Sequence, residues 1–439
     1  MRLIVAGATS CFISLAGAAH AEEPPVPGEP RMMREPGEVV DVPDAADDQD
    51  PFDLEVLLSY QLDVVRSVIT RGEGDGREEL ARASVLSSRL IPELRIGIFR
   101  DIAGIARLPI VLSDNRDLTT LGDAPKGEVQ SEGGETLFEL PMRSPERSGV
   151  EHIALGVHVG IMNQARDRSL PTWTAAFETE VSIGPALSAC NETPPEGQVV
   201  CADPGDINRD GIVDDDEPDG GKARDPGISR GTVGFVLRTA ISRRFQYIEP
   251  FGILRARFEI PMSDTPLATT FEDEPSLLPV RAEAHLGIGI IPWENRERWS
   301  RVWIDARIVG ELVTRGRDYS LLFDALGSSP APSLRSPTEA SGVRGYETGV
   351  TVVDTHGSLG AAGSFVWRAS QLIRLGLSAA FKHEFEHVIT DDEPCADDTP
   401  GCDPPTNPDY RDVLDGPSGR LSASQSLVVQ IGVTGGVLF

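Results

Sequence analysis

The chain has 439 residues, with 40 Lys and Arg against 69 Asp and Glu, a net charge of −29. That balance excludes a nucleic-acid binder, which needs a basic face to neutralise phosphates. Hydrophobic residues make up 40% of the chain, too many for a wholly disordered protein.

The N-terminus reads MRLIVAGATSCFISLAGAAHA. Arg2, an apolar stretch and the small-residue pattern Ala19-His20-Ala21 predict a secretory signal peptide over residues 1–21, which takes Cys11 with it. Residues 22–51 are rich in Pro and acid and poor in bulky apolar groups, which predicts a disordered leader. Beyond residue 21 no run of 18 apolar residues occurs, so no transmembrane helix is expected. Cys190, Cys201, Cys395 and Cys402 remain. In an exported chain two closely spaced pairs point to disulfides. Three connectivities are open, and the local one, Cys190–Cys201 with Cys395–Cys402, is the expected one.

From residue 52 the hydrophobic period is two. Phe52, Leu54, Val56, Leu58, Tyr60, Leu62 and Val64 share one face, with Asp53, Glu55, Ser59, Gln61 and Asp63 on the other. The alternation returns near 94–98, 108–112, 153–161, 173–183, 233–241, 254–260, 280–290, 302–312, 359–367, 373–381 and 427–439. This predicts twelve strands. The connections alternate in length: long and acidic over 71–89, 114–149, 185–229, 262–276, 315–349 and 391–419, short near 101, 162–172, 243–246, 292–300 and 368–371. An even strand number with long loops on one side and short turns on the other is the layout of a transmembrane barrel. A closed barrel is the one sheet that leaves no unpaired edge in lipid. Trp173, Trp293, Trp299, Trp303 and Trp367 all fall at or near the short-turn end, as an interfacial girdle would. Parity puts Trp303 alone on the inner face. A soluble β-sandwich would have shorter strands and no such alternation of loop length.

Residues 52–439 resemble bacterial outer-membrane β-barrel proteins. The fold class expected is therefore all-β, a transmembrane antiparallel barrel of about 12 strands, with both termini and the 22–51 leader periplasmic. The resemblance also implies that the C-terminal run SLVVQIGVTGGVLF, ending in Phe439, is read by the barrel-assembly machinery. It implies outer-membrane lipid and lipopolysaccharide as surroundings.

The inner face carries Arg95, Arg107, Arg238, Arg255, Arg257, Arg281, Arg307 and Arg374, with His158, Glu178, Glu259, Glu283, His285, Asp305 and Glu311. Eight arginines against five carboxylates predict a positive lumen. A narrow arginine-lined pore and a lumen closed by Arg–carboxylate pairs both fit this pattern.

The 185–229 loop contains Asp206, Asn208, Asp210, Gly211, Ile212, Asp214 and Glu217 at the positions of D-x-[DN]-x-[DN]-G-x₅-E. Hard oxygen donors at this spacing suit Ca²⁺, with the Ile212 carbonyl at position seven and Glu217 chelating at twelve. The run resembles an EF-hand loop, but the flanking Pro and Gly residues predict no helices on either side. A structural calcium site is expected. His383-Glu384-Phe385-Glu386-His387 spells H-E-x-x-H. Placed on a strand, it turns Glu384 away from both histidines and cannot build a zinc-peptidase site.

The expected function is passive diffusion of small solutes, anionic by the arginine pattern, and not an enzyme. The alternatives are a non-transporting surface barrel that binds lipopolysaccharide or mediates adhesion through calcium-rigidified loops, and a calcium-using outer-membrane phospholipase, for which no nucleophile motif is seen.

Overall fold

The computed structural model describes residues 40, 42, 54–72, 77–122, 126–192, 199–201, 223–263, 265–268, 278–335, 348–370, 372–395, 407 and 409–439. Twelve strands follow in chain order: β1 (Leu54–Arg71), β2 (Glu78–Phe99), β3 (Ile102–Arg107, continued by Ile110–Thr119), β4 (His152–Met162), β5 (Thr172–Ser182) and β6 (Thr232–Ser242). The second half is β7 (Ile248–Pro261), β8 (Arg281–Asn295), β9 (Ser300–Val313), β10 (His356–Arg368), β11 (Ile373–Glu384) and β12 (Leu421–Leu438). Each strand pairs antiparallel with its neighbours, and β1 pairs with both β2 and β12, so the sheet closes on itself. At the seam the Leu54 and Phe439 amides exchange hydrogen bonds at 2.8 and 3.1 Å. Closure satisfies every strand edge, which is what a sheet in lipid requires.

The period of two sets which face meets lipid. Leu58, Leu86, Leu112, Leu155, Phe177, Leu237, Leu254, Leu286, Ile308, Leu359, Leu377 and Ile431, one from each strand, are exposed on the outer surface. Trp173, Trp293 and Trp367 sit on the same face near the short turns, and the Trp173 indole N–H donates to Thr239 Oγ1 at 2.8 Å. Trp303 points into the lumen and is 1% exposed. The parity that isolates it is the observed orientation.

Two connections differ from the expected layout. The first loop is only a tip at 72–77, because β2 runs from Glu78 and pairs with β1 along its length. The 114–149 connection is partly strand: β3 continues to Thr119, and Gly127–Gln130 pairs with Thr136–Leu140 as a hairpin. Beyond the bilayer the outer face no longer meets lipid, so the apolar alternation that reveals a strand in sequence fades while the backbone pairing continues.

Two apolar cores lie at the loop end. The first joins inward-facing Ile69, Ala81, Ala83, Leu118, Leu421 and Ala423 to loop residues Leu137, Phe138, Leu140, Leu322, Leu326, Leu334 and Leu414. The second joins Leu187, Ala189, Leu267, Leu278, Phe323 and Val350. Both meet at the short helix Phe323–Gly327, all five residues of which are buried. The long loops therefore fold over this helix as a cap on the barrel.

Candidate functional site

Register places all eight arginines named from the sequence on the lumen side. Arg238 is opposite Arg255, Arg257 opposite Arg281, and Arg95 opposite Glu55. The lumen is nonetheless not the positive bore that the sequence predicts. Arg95 pairs with Glu55 at 3.3 Å and also with Glu93. Arg107 pairs with Glu93 at 3.6 Å and with Glu178. Arg257 bridges Glu180 and Glu259 at 2.9 and 3.0 Å. Arg255 meets Glu283 at 3.7 Å, Arg307 meets Asp305 at 3.8 Å, and Arg374 meets Glu55 at 3.9 Å. Arg281 meets Asp318 at 2.5 Å. Arg238 lies 3.4 Å from His158 Nε2. Glu55, Glu93, Glu180 and Asp318 add their counter-charge to that of Glu178, Glu259, Glu283 and Asp305. The strand parity of the first three already marked them as inward. Asp318 comes from a loop and carried no such signal.

Between the cap and the centre of the barrel this network opens into a cavity of about 270 Å³, lined by Arg89, Glu151, Arg230, Arg255, Arg257, Arg281, Glu283 and Glu311. Arg89 and Arg255 hold their carboxylates loosely, at 3.9 and 3.7 Å. The Arg89 Nε is buried with no hydrogen-bond partner among the described residues. Five guanidiniums converging on one chamber offer planar, forked donors suited to a carboxylate or phosphate group.

On the loop side of the chamber the described loops are tied together. Arg147, fully buried, donates to both oxygens of Asp324 at 2.7 and 3.0 Å, and also to the carbonyls of Pro226 and Ser188 at 3.1 and 3.2 Å. The 114–149 and 185–229 loops are thereby tied to the Phe323–Gly327 helix of a third. At the chamber's rim, Asp318 accepts from Arg230 and Arg281 at 2.8 and 2.5 Å. Burial pushes its carboxyl up, but the two guanidiniums overcome that and hold it at about 2.

Toward the opposite end of the lumen lies an apolar cluster. Ala240, Phe251, Ile253, Ile291, Trp303 and Val366 pack together, and Val40 packs with them at 1% exposure. Val40 belongs to the 22–51 segment expected to be disordered, and at this position the chain is packed inside the barrel. The Trp303 indole donates to Asp305 Oδ2 at 3.3 Å and lies flat across Gly289, where a methyl group would run into the ring.

Cys190 and Cys201 form a disulfide, as expected. Cys395 is also disulfide-bonded, and Cys402 lies outside the described residues. The calcium-loop positions Asp206, Asn208, Asp210, Ile212, Asp214 and Glu217 lie outside them too, as do residues 1–21. The two chain ends that lead into the calcium loop are described. Val200 and Cys201 pair in parallel with Ala223 and Arg224, directly beside the disulfide. Among the described residues no group of three or more His, Cys, Asp or Glu is arranged to hold a metal. His383 and Glu384 end strand β11, and His387 instead stacks on His356 with ring centroids 3.7 Å apart.

No protein-family model and no curated protein matches the chain. Solved structures do show likeness. An outer membrane channel from Pseudomonas putida F1 aligns over 92% of this chain and 99% of its own, with a TM-score of 0.42 and 8% identity. A FadL homologue of Pseudomonas aeruginosa aligns over 88% and 90%, with a TM-score of 0.32 and 8% identity. The DcaP outer membrane channel of Acinetobacter baumannii aligns over 88% and 97%, with a TM-score of 0.24 and 8% identity. The closed ring of strands and its apolar belt stand without these likenesses. The chain is an outer-membrane β-barrel. Its long loops cap the outer end, and its seam of Leu54 and Phe439 lies at the periplasmic end.

Proposed function

We propose that this barrel is a channel for small anionic solutes, and that the closed cap represents its resting state. The observation that carries this reading is the polar chamber inside the barrel, with its five arginines and the loosely held Arg89 and Arg255. An ion-paired lumen with no void would serve a purely structural barrel equally well. A cavity of about 270 Å³ walled by five guanidiniums offers room for a solute that such a packed lumen would lack.

The test is planar-bilayer conductance of the full chain with a salt gradient. The expected result is a small conductance with a reversal potential on the anion side, shifted toward zero in Arg89→Gln/Arg255→Gln. Silence in wild type and in a cap-loosened Asp324→Asn variant would overturn the channel reading.

The folded cap supports a second reading, a surface-binding barrel, because its described loop residues pack into shared cores. That reading expects calcium-dependent binding of lipopolysaccharide with no current. The calcium loop belongs to both proposals. Its clamped base, made by the 200–201/223–224 pairing and the disulfide, lowers the ordering cost of binding.

A further inference from the structure

Asp318 differs from the counter-charges around it. Glu180, Glu259 and Glu283 stand on strands β5, β7 and β8 and cannot leave without unpairing the wall. Asp318 belongs to the loop after β9, on a short pairing of 316–318 with 351–353 that lies outside the barrel sheet. It is buried. One carboxylate oxygen lies 2.8 Å from Arg230 and accepts from the Tyr319 amide at 2.8 Å, and the other accepts from Arg281 at 2.5 Å. Both arginines line the chamber. Arg230 keeps a second partner on the wall, Glu259 at 3.1 Å. Among the described residues, Asp318 is the one carboxylate within ion-pair distance of Arg281.

From Asp318 the contacts run on into the cap. Tyr319, the next residue, donates its hydroxyl to the Arg230 carbonyl at 3.2 Å, and the Arg230 guanidinium lies over its ring. The same ring meets Phe323 edge-on, with centroids 4.8 Å apart. Phe323 opens the buried helix and packs in the second apolar core, and Asp324 beside it is held by Arg147. What Arg230 and Arg281 grip is therefore joined by direct contacts to the seat of the helix.

We propose that Asp318 is a tethered occupant of an oxyanion site formed by Arg230 and Arg281, and that a carboxylate or phosphate group of a solute enters by taking its place and so loosens the cap. This rests on the reading of the chamber as an anion site. Either group offers two guanidiniums a pair of oxygens, as Asp318 does. A tethered competitor acts at an effective concentration of about millimolar or more, so the solute binds weakly. Weak binding is what passage requires. The coupling is reciprocal: a solute that loosens the cap binds better once the tether is gone.

The test uses acetate, which carries the carboxylate of the Asp318 side chain without its tether. Folded full-length protein is treated with protease in sodium acetate and in sodium chloride of equal ionic strength, which holds screening constant. In wild type, acetate should raise loop cleavage by about fivefold or more over chloride, saturating with concentration. Binding is read in parallel by line broadening of carbon-13 acetate. Asp318→Asn should bind acetate about tenfold tighter or better, cleave fast already in chloride, and gain nothing further from acetate. Acetate that binds wild type without changing its cleavage would overturn the coupling and leave the chamber as an anion site. Equal affinity in wild type and Asp318→Asn would remove Asp318 from the site and overturn the proposal. Binding in neither protein would overturn it too, and would also count against the anion reading of the chamber. The wild-type arm needs no variant and decides the coupling if Asp318→Asn does not fold.

Discussion

Asp324 accepts two hydrogen bonds from Arg147, 177 positions earlier in the chain, and neither side chain is exposed beyond 3%. Arg147 also reaches two backbone carbonyls of a third loop. A buried ion pair offsets its desolvation only when its remaining donors are satisfied, and here they are shared among three loops. The pair thus acts as the clasp of the cap. Asp324→Asn leaves Arg147 buried without its counter-charge and should cost the cap about 3–5 kcal/mol. The measurement is limited proteolysis of folded, heat-modifiable protein. Cleavage in the loops should rise sharply while the barrel strands stay protected. A loop digest unchanged from wild type would show that the clasp is dispensable.

Gly289 makes room for the Trp303 ring. Gly289→Ala should force the indole off its rotamer and cost about 1–3 kcal/mol of overpacking. Urea titration in detergent would read this as a lowered midpoint. Adding Trp303→Phe should recover part of the loss, because the smaller ring vacates the contact.

Acid should loosen the outer face in two separate windows. Burial, with the neighbouring His356 acting in the same direction, lowers the His387 pKa to about 4. The unfolded chain therefore takes up protons first, and stability is lost as pH falls from about 6.5 to about 4. Asp318, held at about 2 against an ordinary value of 3.8, contributes stability that is full above 3.8 and lost as pH falls through about 2. Loop proteolysis with an acid-tolerant protease across pH 7 to 2 should show both steps. His387→Phe should remove the upper step and Asp318→Asn the lower. Steps that persist in both variants would assign them to other groups.

Calcium binding follows from a sequence pattern rather than from described coordinates. Calorimetric titration of the intact chain should show one site, weak enough to fall near ~10⁻⁴–10⁻³ M as in extracellular modules. Asp206→Ala with Glu217→Ala should abolish it. Retained binding in the double variant would move the site elsewhere.

The barrel was legible in the sequence because its cause is local. Every strand must turn one face to lipid and the other to the lumen, and that demand writes a period of two into each segment independently. Leu286 and Leu254 are apolar for this reason whatever their neighbours are, and the Arg side of the same strands follows by parity. The short Cys190–Cys201 spacing was legible for a similar reason, since a short loop closes on itself. Even the odd placement of Trp303 was visible as a broken pattern, although its purpose was not.

Tertiary structure decided the rest. Leu137-Phe138, Leu321-Leu322-Phe323 and Leu414 lie in acidic, Gly- and Pro-bearing stretches that read as loops, and each short apolar run is too small to form a core alone. They become a core only when closure of the barrel brings them together over one helix. The countercharges behave likewise. Which carboxylate meets Arg281 depends on where the 316–318 segment folds back, and no spacing along the chain encodes it. Val40 reads as one of a few apolar residues in a polar leader, and only the apolar cluster contributed by β6 to β10 gives it a place. Sequence by itself determined what each strand must do in a membrane. The ends of the lumen depend on contacts between segments far apart in the chain, whose burial is a property of the assembled barrel.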